Sequence, residues 1–221
     1  MRVKTLMFSF KCNQPVKGKA EWLRGFFADQ FREYVLIHHH LDDNKLNYSF
    51  PLIQYKILNE KPVVIGINEG TEVLQRLYPE LSYIRLGSKE FQIIEQTLII
   101  RTDDLTVTPE IKSYSFITPW LALNEKNYEK YQKFGILSKR KELLESILVG
   151  NILSMSKSLG YTVTEPIRAE INNFKEVFIR LKEVPMLGFL GTFSVNFEIP
   201  DYWGIGKSVS RGFGTIKKTD Q

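Results

Sequence analysis

The chain has 221 residues, 43% hydrophobic and 25% charged, the balance of a globular protein with a real core. No run approaches the ~20 apolar residues of a membrane span, and a single cysteine, Cys12, excludes a disulfide framework or a cysteine-rich zinc site. The net charge is +5, and residues 111–221 carry all of it, with 16 Lys/Arg against 11 Asp/Glu, while residues 1–110 balance at 14 and 14; a basic half favours a polyanionic partner.

Met1-Arg2-Val3-Lys4 enters directly into alternation, without the apolar region of a secretory signal. A cytoplasmic location with no membrane association is expected. Val3–Phe10 reads as a strand. Leu23, Phe26, Phe27, Phe31 and Tyr34 then recur at steps of three and four, which predicts an amphipathic helix over Lys19–Val35. All three histidines follow, as His38-His39-His40. Tyr48–Leu58 and Pro62–Ile67 read as strands joined at Asn59-Glu60-Lys61. Thr71–Leu81 reads as a short helix, and Ser82–Val107 is strand-rich with a turn near Gly87-Ser88-Lys89. The order β-α-β-β-α-β is that of a ferredoxin-like, or RRM-like, unit.

Thr108-Pro109-Glu110 marks a boundary, giving domains 1–108 and 109–221. Tyr114–Leu123 is strand-like. Lys126–Leu159 is helical with a break near Gly135, and Leu143, Leu144, Ile147, Leu148 and Ile152 share a face. Ile167–Phe174, Val177–Val184 and Gly188–Ile199 read as three strands with no second strong helix between them. The fold class expected is α+β, with two tandem ferredoxin-like βαββαβ units, the second less regular.

Near the C-terminus runs Gly204-Ile205-Gly206-Lys207-Ser208-Val209-Ser210-Arg211-Gly212-Phe213-Gly214. Glycines here permit positive φ and close backbone approach. Bare amides can cradle phosphate oxygens, Lys207 and Arg211 add charge, and Ser208 and Ser210 add hydroxyl donors. Tyr202–Lys218 contains four basic residues and no acid. Gly206-Lys207-Ser208 mimics the end of a nucleotide-binding P-loop, but that motif needs a glycine where Asp201 stands and a helix after it. Taken alone, such a glycine-rich loop is more often than not a tight turn between strands with no ligand.

Gly-x-Gly followed after five residues by Gly-Phe-Gly resembles the glycine-rich loop of the repeat-associated CRISPR RNA-binding superfamily. Leu23-Arg24-Gly25-Phe26-Phe27, the histidine run, Tyr48–Lys56 and Ile65-Gly66-Ile67 extend the resemblance, as do Trp120–Asn124, Leu148–Lys157 and Phe193–Gly214. Together they resemble the b-type branch of the CRISPR-associated endoribonucleases that process precursor crRNA, over nearly the whole chain. The resemblance implies two ferredoxin-like domains, binding of CRISPR repeat RNA, cleavage within the repeat, and no metal or other cofactor. The RNA-contacting residues expected are Lys45, Gly204, Gly206, Lys207, Ser208, Ser210, Arg211, Gly212 and Gly214. The resemblance also admits a non-cleaving crRNA-binding subunit, other CRISPR effector subunits as partners, and a homodimer.

Three adjacent histidines seldom converge on one ion, because neighbouring side chains point apart. In an extended segment His38 and His40 share a side, with Cα atoms ~6–7 Å apart, so two imidazoles can flank one phosphate. The family pattern is His-any-His, often with asparagine between; His39 stands there in this chain. Histidine is half-protonated near its ordinary pKa of ~6.5, which suits both proton transfers of RNA cleavage. Which histidine is base and which acid stays open. Tyr48 and Lys45 are candidates to orient a histidine or to neutralise phosphorane charge.

Overall fold

The computed structural model describes residues 1–38, 49–181 and 183–219. They form two compact units: Arg2–Asp103 together with Val209–Gly212, and Met1 together with Asp104–Ser208 and the residues from Phe213 on.

In the first unit the order is β1 (Arg2–Cys12), α1 (Ala20–Gln30), a one-turn α2 (Val35–His38), β2 (Ile53–Leu58), β3 (Lys61–Ile67), α3 (Glu69–Leu77), β4 (Tyr83–Leu86) and β5 (Lys89–Asp104). The strands lie in the order β2-β3-β1-β5-β4. This is the ferredoxin-like sheet, with a β4–β5 hairpin where the simple fold has one strand. Asn59 and Glu60, at φ 50° and 61°, make the tight turn between β2 and β3, the left-handed conformation that a two-residue hairpin requires. Alternate residues of β1 (Leu6, Phe8, Phe10) meet Leu23, Phe26 and Phe27 of α1 and Leu74 and Leu77 of α3 in one buried cluster. The helix expected through Val35 stops at Gln30. Phe31 leaves helical geometry (φ −125°, ψ 58°) while its N–H still bonds the Phe27 carbonyl, and its buried ring turns the chain into the core. Of the strand expected over Tyr48–Leu58, the described residues pair from Ile53; Pro51, two residues earlier, has no N–H for the ladder.

The second unit runs β6 (Thr106–Trp120), α4 (Glu125–Lys133), α5 (Leu137–Ser158), β7 (Ala169–Leu181), β8 (Val184–Glu198) and β9 (Ile216–Lys218). Its antiparallel sheet has the order β7-β8-β6-β9. The short β9 takes the place of the fourth ferredoxin-like strand. The segment leading to it carries a 3-10 turn, Val209–Arg211, where the regular fold has its second helix, so this copy is the less regular one. Thr108-Pro109-Glu110 lies inside β6, at a register shift between Val107 and Lys112.

The three strands expected after α5 are two. Ile167–Phe174 and Val177–Val184 belong largely to the single strand β7, which passes an irregularity between Ile171 and Asn173 without ending. Asn172 and Asn173 donate across the pair to the Ser194 and Thr192 hydroxyls, at 2.9 and 2.7 Å. Helix α5 buries Leu144, Leu148 and Ile152 in the same unit as Phe189, Phe193 and Val195 of β8. Glu176 of β7 binds the first helices to the sheet. It accepts from the Tyr131 hydroxyl at 2.6 Å and from Arg140 at 3.4 Å. The Arg140 guanidinium in turn covers the Tyr131 ring. Among the described residues no helix is long and apolar enough to cross a membrane.

Candidate functional site

The glycine-rich loop is closed by a two-stranded neck. The Ile205 N–H donates to the Gly214 carbonyl and the Ile216 N–H to the Trp203 carbonyl, both at 2.9 Å. Gly204 bridges Thr215 between these bonds. Trp203 and Ile205 are buried, so the neck is anchored as core and the turn hangs from it. At Gly214 (φ +62°) a Cβ would lie 2.0 Å from the Ile205 carbonyl oxygen, which only glycine avoids. At Gly206 (φ +91°) a Cβ would lie 2.6 Å from the Trp120 indole nitrogen. That indole N–H donates to Asn151 of α5 at 3.1 Å.

Several amides expected to face a phosphate are engaged within the protein. Gly214 N–H donates to Pro119, Gly212 N–H to Val209, and Lys207 N–H to Leu121. Close packing, rather than a row of bare amides, therefore accounts for Gly206, Gly212 and Gly214. The loop's polar side chains are placed differently. Lys207 is exposed, and Ser208, Ser210 and Arg211 are partly buried. The Lys207 ammonium donates to the Leu123 carbonyl at 2.9 Å, using one of its three N–H groups. Although the residue is exposed, partial desolvation of its ammonium pulls the pKa down, against the opposing charge of Glu125. Ser208 holds φ +56° without being glycine. Of the loop residues, Ser210, Arg211 and Gly212 fall in the N-terminal unit, as does Val209, and the rest in the C-terminal one.

His38 closes α2, so the backbone at the first histidine is helical rather than extended. His39, His40, Lys45 and Tyr48 lie outside the described residues, so the expected catalytic group is not assembled from described atoms.

Two basic residues of the N-terminal unit carry no individual signal in the sequence. Lys56 of β2 is fully buried, and its ammonium donates to Gln54 Oε1 at 3.2 Å. Burial pushes its pKa down to about 7. Arg24 of α1 is partly buried; burial first, and then the charge of Arg211, lower its pKa. Both residues sit inside the motifs quoted above, but a lysine in a strand and an arginine on an amphipathic helix do not announce their burial.

The depressed Lys56 pKa makes stability depend on pH. The unfolded chain holds this proton up to about pH 10, whereas the folded chain releases it near 7. Stability is therefore greatest above that window. It falls with falling pH by at most about 1.4 kcal/mol per unit from this group, and its contribution is flat below about pH 7. Lys56→Met removes this component. Urea unfolding at several pH values should show the wild-type slope exceeding that of the variant between pH ~7 and ~10; equal slopes would show that Lys56 keeps its proton in the fold.

Both halves of the chain match known families: residues 1–104 match the Cas6b N-terminal domain, and residues 106–219 the Cas6b C-terminal domain. An uncharacterised protein of Methanocaldococcus jannaschii is 41% identical over 138 residues, 62% of this chain and 93% of that one. A crystal structure of Cas6b superposes with TM-score 0.92 at 39% identity, over 99% of this chain and 100% of that one. A structure of "CRISPR RNA processing endoribonuclease Cas6b" gives 0.79 at 36% identity, again over 99% and 100%. A type IV Cas6 crRNA endonuclease, Csf5, shares the fold alone, with TM-score 0.61 at 12% identity over the full length of both chains. Matched along nearly its whole length by the two domains in their natural order, the chain belongs to the Cas6b family.

Proposed function

We propose that the protein is a metal-independent endoribonuclease that binds CRISPR repeat RNA and cuts precursor crRNA within the repeat. The observation that carries this reading is the end-to-end similarity, at 36% identity, to a CRISPR RNA processing endoribonuclease. RNA supplies its own nucleophile, the 2′-hydroxyl. One imidazole of the pair His38 and His40 takes the 2′-hydroxyl proton as that oxygen attacks the adjacent phosphorus in line. The other protonates the departing 5′-oxygen. A 2′,3′-cyclic phosphate and a 5′-hydroxyl result. Tyr48 orients an imidazole, and Lys45 neutralises charge on the phosphorane. Lys207, Ser208, Ser210 and Arg211 hold the RNA backbone. The positive excess of residues 111–221 supports this placement of the RNA-contacting side chains.

The test is cleavage of single-stranded cognate repeat RNA in excess EDTA. The expected result is cutting at one position, at a rate EDTA leaves unchanged, with a cyclic phosphate on the 5′ fragment by mass. Loss of activity in EDTA would refute the mechanism. Tight binding without cutting would instead identify a crRNA-binding subunit. Within the same reading, Lys207→Ala and Arg211→Ala should each weaken binding about tenfold and lower the slope of log K against log salt by roughly 0.7–1. Fluorescence anisotropy over a salt series checks this, and unchanged affinity in both variants would remove the loop from the RNA surface.

A further inference from the structure

The 3-10 turn Val209–Arg211 and Gly212 belong to the N-terminal unit. Gly212 determines how closely this segment approaches α1 and β2. Its φ is +86°, and a Cβ there would lie 2.7 Å from the Ala20 Cβ and 3.1 Å from the Tyr55 carbonyl oxygen. The backbone of Gly212 is thus in direct contact with the first turn of α1. Arg24 stands four residues after Ala20, one turn further along the same face of that helix. Arg211 is the residue next to Gly212. Arg24 and Arg211, both partly buried residues, are thereby brought near each other from opposite ends of the sequence, and the charge of Arg211 is felt at Arg24. An anion shared by the two reverses that repulsion. Guanidinium suits such a role, because its planar fork pairs two N–H groups with two phosphate oxygens and it keeps its charge when partly buried.

We propose that Arg24 and Arg211 form a two-guanidinium clamp that takes one phosphodiester of the bound repeat RNA. The inference rests on the RNA-binding reading above and adds Arg24, on a helix far in sequence from the glycine loop, as a phosphate-binding residue. The glycine at 212 is then explained by the clamp: a side chain there would push Arg211 away from α1.

The experiment measures affinity of the full chain for single-stranded repeat RNA by anisotropy over a salt series. The variants are Arg24→Gln, Arg211→Gln, their double and Arg24→Lys, with circular dichroism to check folding. Each single glutamine variant should bind about tenfold more weakly and show a shallower salt slope. The double should lose clearly less than the product of the two single losses, because one phosphate serves both side chains. Arg24→Lys keeps the charge and loses the fork, so it should fall between wild type and Arg24→Gln. Wild-type affinity in Arg24→Gln, or losses that multiply independently, would overturn the clamp while leaving the RNA-binding reading in place. If Arg24→Gln does not fold, Arg24→Lys decides: weakened binding supports the clamp and wild-type binding overturns it. A wild-type chain that fails to bind repeat RNA overturns both readings.

Discussion

Alanine at His38 or at His40 should slow repeat cleavage by about 10²–10⁴-fold, the range of a single general acid or base. In the proposed mechanism both proton transfers belong to one concerted displacement. An enzyme stripped of its base gains little from keeping its acid, so the double variant should be little slower than the worse single one. Affinity for the repeat should stay within a few-fold of wild type, since the backbone-gripping side chains lie elsewhere. Single-turnover cleavage at saturating protein separates the two quantities. The rate should also depend on pH as a bell, one limb for each histidine, since one must be neutral while the other is charged. A double variant that cuts at the wild-type rate would end the assignment. So would a pH profile unchanged in either single variant.

The second large effect concerns the neck of the glycine loop. Gly214→Ala places a methyl 2.0 Å from a backbone carbonyl oxygen, at φ +62°. Neither the neck bond from Ile205 nor that from Gly214 to Pro119 can move without losing the other. The expected cost is about 3–5 kcal/mol, the upper range for a point substitution. Gly150→Ala is the matched comparison. It lies within α5, exposed, with nothing within 4 Å of the added methyl, and should gain about 0.5–1 kcal/mol. Urea denaturation of the two variants tests whether one chemical change takes opposite signs at the two positions.

Much of the fold was legible because its signals are local. Leu23, Phe26 and Phe27 announce the buried face of α1 by spacing alone, and Asn59-Glu60 announces a hairpin. Gly135 marks a real interruption, lying between the end of α4 at Lys133 and the start of α5 at Leu137. What stayed hidden depends on partners distant in the chain. The gap between Phe174 and Val177 looks like a strand break until Lys175 and Glu176 are seen paired with Leu190 and Phe189 of β8. The glycines of the loop look like phosphate-binding amides until Trp120 and the Ile205 carbonyl are seen pressed against them. Of the candidate site, the loop residues could be found from their motif, whereas the burial of Lys56 and the approach of Arg24 to Arg211 could not. The helical backbone at His38 has a similar origin: three consecutive histidines carry no periodicity that separates an extended segment from the turn of helix that His38 closes.

The membership of Val209–Gly212 in the N-terminal unit bears on how this protein is made. More than 200 residues must leave the ribosome before those four exist. The first unit consequently waits, its helix α1 and edge strand β2 uncovered where the segment will sit, until Val209–Gly212 have been made. Closing so long a loop late is slow compared with pairing neighbours in sequence. A nascent chain stalled before Val209 should therefore be digested by protease within its N-terminal half more readily than the finished protein.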